Sequence, residues 1–459
     1  MHRLILFLLP FLLAACSLIE YQPLATLDHV DRSRGYRLEA ALDTTQNDDG
    51  LLLVLLFSGG GTRAAAFGYG VLETLAATPV TGYGKTESLL AKIDLVHGVS
   101  GGSILATYLA LHGADTVPQF ERQFLRQNLQ SAVLRQLFSL ANLPRLTAPE
   151  YGRGDLLAEE LDRLLYHGAT FAALDSGRKG PFAVISATDM SIGQRIEFTQ
   201  EFFDALCLDL NRLPIARAVA ASSAVPLVFA PLTLNNHGGH CHYQPPPRAT
   251  GEQAVQRFTT PYQNSAARPY IHLLDGGLTD NLGLRSLLDF ADIHGDDNIY
   301  RHITDGKVRD IVVISVNAQN RLDSSIDQSP AIPGLMDVAS AIINVPIDGN
   351  TQESIRNFRR FADDWNAHGG KNRVALHFID LNLDDLPDGS LKQQVLNIGT
   401  TFYLPEADIR ALRQSAKILL EQNATYRNLP GLKGNRLALP VDPLHLYRSR
   451  SPSPAAQNR

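Results

Sequence analysis

Gly98-Val99-Ser100-Gly101-Gly102 sets a serine among glycines with the spacing G-x-S-x-G. The chemistry that needs this arrangement is acyl transfer. A nucleophilic hydroxyl must stand clear of the chain on a sharp strand-to-helix turn, and glycines let neighbouring backbone pass without clashing. Ser100 is therefore a candidate nucleophile, flanked by the elbow glycines Gly98 and Gly102. The N-terminus of the helix that follows favours developing negative charge. Gly59-Gly60-Gly61-Thr62-Arg63 is the second group, offering unblocked N–H donors that can hold an oxyanion. A phosphate loop is the rival reading, but neither G-x-x-x-x-G-K-[ST] nor a full G-x-G-x-x-G with a ribose-binding acid is present. Leu274-Asp275-Gly276-Gly277 is the third. Asp275 closes an apolar stretch, and ligand sites of open α/β sheets form at strand C-termini, where Asp275 can meet Ser100.

The elements around these residues support such a site. Residues 51–57 form a continuous apolar run, as expected of a strand buried on both faces. The glycines follow, then an alanine-rich helical stretch over 64–77. The unit repeats: strand 93–96, the G-x-S-x-G turn, and helix 103–111. Further strands are expected at 182–187, 270–274, 311–316 and 374–379. Helical spacing marks 117–141, 155–165, 213–221, 284–291, 349–365 and 405–421. Alternating strands and helices imply an α/β fold, with helices on both faces of a mainly parallel sheet.

Taken in order, Gly59-Gly60-Gly61-Thr62-Arg63, the Ser100 elbow and Asp275-Gly276-Gly277 resemble the patatin-like phospholipase family. Ala220-Ala221-Ser222-Ser223-Ala224-Val225-Pro226 also resembles that family's block between nucleophile and aspartate. The resemblance is strong over about 51–300 and weaker to about 425. It implies a patatin-like three-layer sandwich and a Ser–Asp dyad without histidine. Ser100 would attack a lipid ester and Asp275 would act as base. The loop Gly59, Gly60 and Gly61 would form the oxyanion hole, led by the Gly60 and Gly61 amides, with Arg63 nearby. No metal and no cofactor is implied. Ala64 stands where many members have glycine, a departure that leaves the three glycine amides intact.

Histidine-based alternatives are weak. His302 and His377 follow Asp275, as a Ser–acid–His order would require, but one lies in a polar segment and the other inside a strand pattern. His97 adjoins the elbow and is expected to shape it. His237, His240, Cys241 and His242 cluster without a recognised metal-ligand spacing. Residues 117–141 fit either helices packed on the sheet or a lid that admits acyl chains.

The first residues read as an address. Met1-His2-Arg3 is basic, residues 4–15 are apolar but too short to span a bilayer, and Leu13-Ala14-Ala15-Cys16 resembles the lipobox of bacterial lipoproteins. That resemblance implies lipidation at Cys16 and a membrane anchor, with Ser17 implying the outer membrane and a bacterial envelope location. The expected organisation is a signal peptide at 1–15, a tether at 16–50, the hydrolase domain at 51–425 with a polar insertion at about 231–269, and a tail at 426–459.

The chain has 459 residues, a hydrophobic share of 44% and a net charge of −6, enough for a large core and unsuited to nucleic acid as a main partner. Three cysteines exclude a disulfide scaffold; Cys207 and Cys241 remain to pair with each other or stay free. The functional expectation is a lipid-anchored serine esterase acting on a lipid substrate. The competing expectation is a catalytically silent envelope lipoprotein that binds lipid or serves as a scaffold. No oligomeric state can be read from the sequence.

Overall fold

A computed structural model describes residues 23–43, 50–245, 252–294, 308–319, 325–368 and 374–432. Cys16, the signal region, His302 and most of the expected tail lie outside the described residues.

The centre of the molecule is the leucine run, which forms strand β1 (Leu51–Phe57). A strand with no polar alternation is stable only with both faces covered, and β1 lies in the middle of the sheet. Its neighbours are β2 (Ile93–Gly98) and β7 (Asp310–Asn317), both parallel to it. The full order is β8-β7-β1-β2-β3-β6-β5, where β3 is Phe182–Asp189, β5 Leu232–Asn235, β6 Tyr270–Asp275 and β8 Ala375–Asn382. A short strand β4 (Arg195–Glu197) also pairs with β3. Strands β8 through β3 are parallel, whereas β6 runs antiparallel to β3 and β5 antiparallel to β6.

Helices α1 (Gly61–Ala76) and α2 (Gly101–His112) cover one face. Helix α8 (Glu406–Gln422) packs against α1 where Gly70 admits it: a Cβ there would meet Arg413 Cα at 2.7 Å. Arg413 then bonds Glu73 of α1 at 2.8 Å through Nε. Helices α6 (Leu284–His294) and α7 (Leu335–His368) cover the other face. Phe358 of α7 meets Phe378 of β8 with ring centroids 4.9 Å apart. The result is the expected α/β sandwich.

Four boundaries differ from expectation. The described part of the expected tether, residues 23–43, is docked: Tyr36 is fully buried, its hydroxyl donates to Ala183 O at 2.9 Å, and Arg37 pairs with Asp204 at 2.8 Å. Residues 231–269 are no mere surface insertion, because they supply edge strand β5 and a helix at Glu252–Thr259. Polar composition hid β5, whose only buried apolar residues are Leu232 and Leu234. The packed chain runs past 425, with buried Tyr426 bonding Thr78 at 2.9 Å. Residues 117–141 break into short segments ending in α3 (Leu129–Leu137), with Phe120 and Phe124 in the core and Phe138 and Leu140 exposed. Cys207 and Cys241 form a disulfide with Cα atoms 5.5 Å apart, so Cys241 is spent in the bridge.

Candidate active site

Strand β2 ends at Gly98, level with Phe57 of β1, and the Val99 amide donates to Phe57 O at 3.1 Å. The chain then turns abruptly. Ser100 has φ 50° and ψ −123° and is the N-cap of α2. A non-glycine residue in such a conformation costs about 1–3 kcal/mol and persists only when its surroundings hold it. They do so here: the Ser100 amide donates to Ser222 Oγ at 2.8 Å, and Ser103 Oγ donates to Ser100 O at 2.6 Å. A Cβ on Gly101 would lie 1.9 Å from Gly61 O, so the elbow and the glycine loop touch through backbone alone. Gly98 and Gly102 are packed as tightly, with Cβ positions 2.6 Å from Gly102 O and 2.5 Å from Phe57 O.

The register brings Asp275 to the same level. Gly98 pairs with Ile185 of β3, and Ala187, two residues on, pairs with Asp275 of β6. Position 100 is likewise two residues past Gly98. The Ser100 side chain lies beside the Asp275 carboxylate, and its hydroxyl favours the ionised form. That carboxylate accepts from the Gly277 amide at 2.8 Å, while Thr188 Oγ1 donates to Asp275 O at 2.8 Å. Burial pushes Asp275 up to about 6, opposed by the bond from the Gly277 amide and by the neighbouring Ser100 hydroxyl. Ser100 and Asp275 are both buried.

The glycine loop lies across from them, and its three amides are not equivalent. The Gly59 amide donates to Asn281, at 3.2 Å to the carbonyl and 3.1 Å to Oδ1. It is therefore not a free donor, and the expectation of three available amides is corrected to two. Gly60, with φ 132°, is the N-cap of α1, and Gly61, with φ 59°, is its first residue. Helix geometry offers no internal acceptor for amides at these positions, and they find none among the described residues. Arg63 is buried behind the loop, with Nε on Ala318 O at 2.7 Å and Nη1 on Ile398 O at 2.6 Å. Its Nη2 lies 3.1 Å from the place of a Gly60 Cβ. Burial lowers its pKa to about 10, so it stays charged at neutral pH. No carboxylate pairs with it among the described residues.

The model of the Patatin-like phospholipase family matches residues 55–288, which is 234 of the 459 residues. The chain belongs to the patatin-like phospholipase family. Among solved structures, this patatin-like chain is similar to human GIVD cytosolic phospholipase A2, at 12% identity and a TM-score of 0.42, covering 84% of this chain and 63% of that one. It is also similar to the same human protein in complex with methyl gamma-linolenyl fluorophosphonate, at 12% identity and a TM-score of 0.40, covering 87% and 64%. The chain thus spans less than two thirds of the length of these structures. No curated protein matches it.

Three supports of this patatin-like site escaped the sequence reading. Ser222 ends α5 (Ile215–Ser222), and its hydroxyl holds the Ser100 amide. It lies in the block noted by resemblance, which carried no role. Asn281 stands six residues after Asp275, and only a longer D-G-G-x-x-x-N spacing would have marked it. Thr401 accepts from the Thr62 amide at 2.8 Å and crowds Gly61 at 2.4 Å from its Cβ position; no local motif signals it.

The histidines lie elsewhere. His377 Nε2 bonds Asp310 at 2.9 Å near the starts of β7 and β8, at the opposite end of the parallel strands from Ser100. His97 is buried beneath the elbow against Gly283. Two loops that build the site also carry exposed apolar side chains. Leu227 and Val228 follow Ala224, whose carbonyl accepts from the Asp275 amide at 3.0 Å, and Tyr403 follows Thr401.

Proposed function

We propose that this chain is a serine hydrolase that cleaves acyl esters of lipids, phospholipids included, through a Ser100–Asp275 dyad. The observation that carries this reading is the placement of the buried Ser100 and Asp275 side by side at the strand ends, facing the Gly60 and Gly61 amides. Ser100 Oγ attacks the ester carbonyl while Asp275 takes its proton. The carbonyl oxygen becomes an oxyanion, held by the Gly60 and Gly61 amides and favoured by the Arg63 charge behind them. Collapse of the tetrahedral centre expels the alcohol, which receives the proton from Asp275. Water then gives its proton to Asp275 and attacks the acyl-enzyme, and the proton returns to Ser100 as the fatty acid leaves. The exposed Leu227, Val228 and Tyr403 support a lipid as substrate, since they offer apolar contact beside the site.

The N-terminus extends this proposal. Cys16 carries the lipid anchor, and the protein works in a bacterial envelope, at the outer membrane. The Cys207–Cys241 disulfide supports an oxidising compartment.

The decisive experiment labels purified protein with a fluorophosphonate and measures fatty acid released from phospholipid vesicles. Wild type labels and hydrolyses; Ser100→Ala does neither, and Asp275→Asn loses hydrolysis. Labelling that persists in Ser100→Ala would falsify the nucleophile. An inert wild type leaves a lipid-binding scaffold in its place. Loss of acyl mass and of membrane fractionation in Cys16→Ser tests the anchor.

A further inference from the structure

A second, separate cavity lies on the far face of the sheet. Its volume is about 300 Å³, at the lower end of the range for ligand pockets. The floor is Leu52 and Val54 of β1 with Leu95 of β2 and Val313 of β7, the side chains that alternate away from α1 and α2. The roof is aromatic: Phe258, Phe290 of α6, and Phe358, Phe361 and Trp365 of α7. Ser100 and Asp275 take no part in the lining.

Polar groups at this cavity identify its ligand by charge. His97 is buried at the wall, and neither ring nitrogen has a hydrogen-bond partner among the described residues. Burial lowers its pKa, so the imidazole is neutral and offers one donor and one acceptor. A buried polar group left in this state costs about 1–3 kcal/mol, which a ligand hydroxyl would remove. Among the described residues, Arg195 is the cation of the lining. It is already spent on Glu197 at 2.8 Å, Asp289 at 2.7 Å and Asp280 at 3.7 Å. Glu39 and Glu201 add further carboxyl groups, one Glu201 oxygen being buried without a partner among the described residues. Among the described residues, an anionic head group would meet carboxylates and no available cation.

We propose that this cavity binds an uncharged single-chain amphiphile with a hydroxyl head, such as a long-chain alcohol, its chain under the aromatic roof and its hydroxyl on His97. Neither Ser100 nor Asp275 lines this cavity, so the proposal stands whether or not Ser100 is a nucleophile.

The chain carries its own reporter, because Trp365 lines the cavity and is the sole tryptophan. Ser100→Ala protein, which cannot form an acyl-enzyme, is titrated with 1-decanol and with decanoate at pH 8 while Trp365 emission is followed. A saturable shift with decanol is expected, with decanoate at least tenfold weaker. Val313→Phe fills the cavity and abolishes the shift; if thermal unfolding shows that variant to be unfolded, Leu376→Phe at the same wall serves instead. His97→Phe weakens decanol at least fivefold without filling the chain-binding end. The proposal is overturned if decanol gives no saturable shift, if decanoate binds as well, or if the folded filling variant responds like its parent.

Discussion

The Ser222 hydroxyl accepts the Ser100 amide at 2.8 Å while the Ser222 carbonyl accepts the Gly276 amide at 3.2 Å. One residue thus ties the turn that presents the nucleophile to the chain just after the carboxylate. The two strands concerned, β2 and β6, are not neighbours; β3 lies between them. Ser222 bridges that gap above the sheet.

Removing the bridge should misplace the dyad without unfolding the domain. Ser222→Ala leaves a buried amide unpaired, at a cost of about 1–3 kcal/mol. We expect kcat to fall roughly ten- to a hundredfold, by the sensitivity of catalysis to misplaced groups, with KM little changed. Steady-state kinetics alongside thermal unfolding separates the two effects, and an unchanged kcat would exclude the bridging role.

Asn281 should matter through the loop that it anchors. Asn281→Ala leaves the Gly59 amide its backbone acceptor but removes the side chain that sets the loop opposite Ser100. If the Gly60 and Gly61 amides are the working donors, kcat drops by about a hundredfold, the cost of losing one oxyanion donor. Fluorophosphonate labelling should slow in parallel. A variant with full kcat would mean that the loop holds its shape without Asn281.

The pH profile should follow Asp275. Its carboxyl must be ionised to accept the Ser100 proton, so kcat/KM should fall as pH drops through about 6. Stability moves the other way. The folded pKa is raised to about 6 from 3.8, so the native state binds more protons than the unfolded chain between those values. Stability therefore decreases as pH rises through that window and levels off above it. Asp275→Asn should be more stable than wild type at pH 8, by at most about 3 kcal/mol, with the difference vanishing near pH 4. Denaturant titrations at the two pH values check the sign.

Reduction should weaken the edge of the domain beside β5. The Cys207–Cys241 bridge closes a loop with sequence separation 34, and disulfides of this kind contribute about 2–4 kcal/mol. Cys207→Ser with Cys241→Ser, or the reductant, should lower the unfolding midpoint. Ester hydrolysis below that midpoint should be preserved, because neither cysteine touches the dyad.

Local signals were legible in the sequence wherever burial and conformation act within a few residues. The leucine run of β1 and the G-x-S-x-G turn both declare themselves this way. Strand direction does not: 270–274 reads as a strand, yet nothing in those residues says that it runs against β3. Direction is set by how the intervening chain returns. Helix α7 was read only over 349–365 because its first half carries exposed Leu335, Val338 and Ile342 and contains Pro346, which blur a one-sided pattern. The Gly59 amide looked available because its acceptor, Asn281, lies more than two hundred residues away in the chain.

The clasp between Thr401 and the start of α1 has a consequence for biosynthesis. The chain is made from its N-terminus, so β2, β3 and β6 are all present, with Ser100 and Asp275, before β7, β8 and Thr401 leave the ribosome. β1 must wait longest, since β7 closes its second edge. A nascent chain can therefore bring nucleophile and base together while the donor loop is still unclasped, and synthesis of the segment that carries Thr401 is what switches the assembled pair into a finished site.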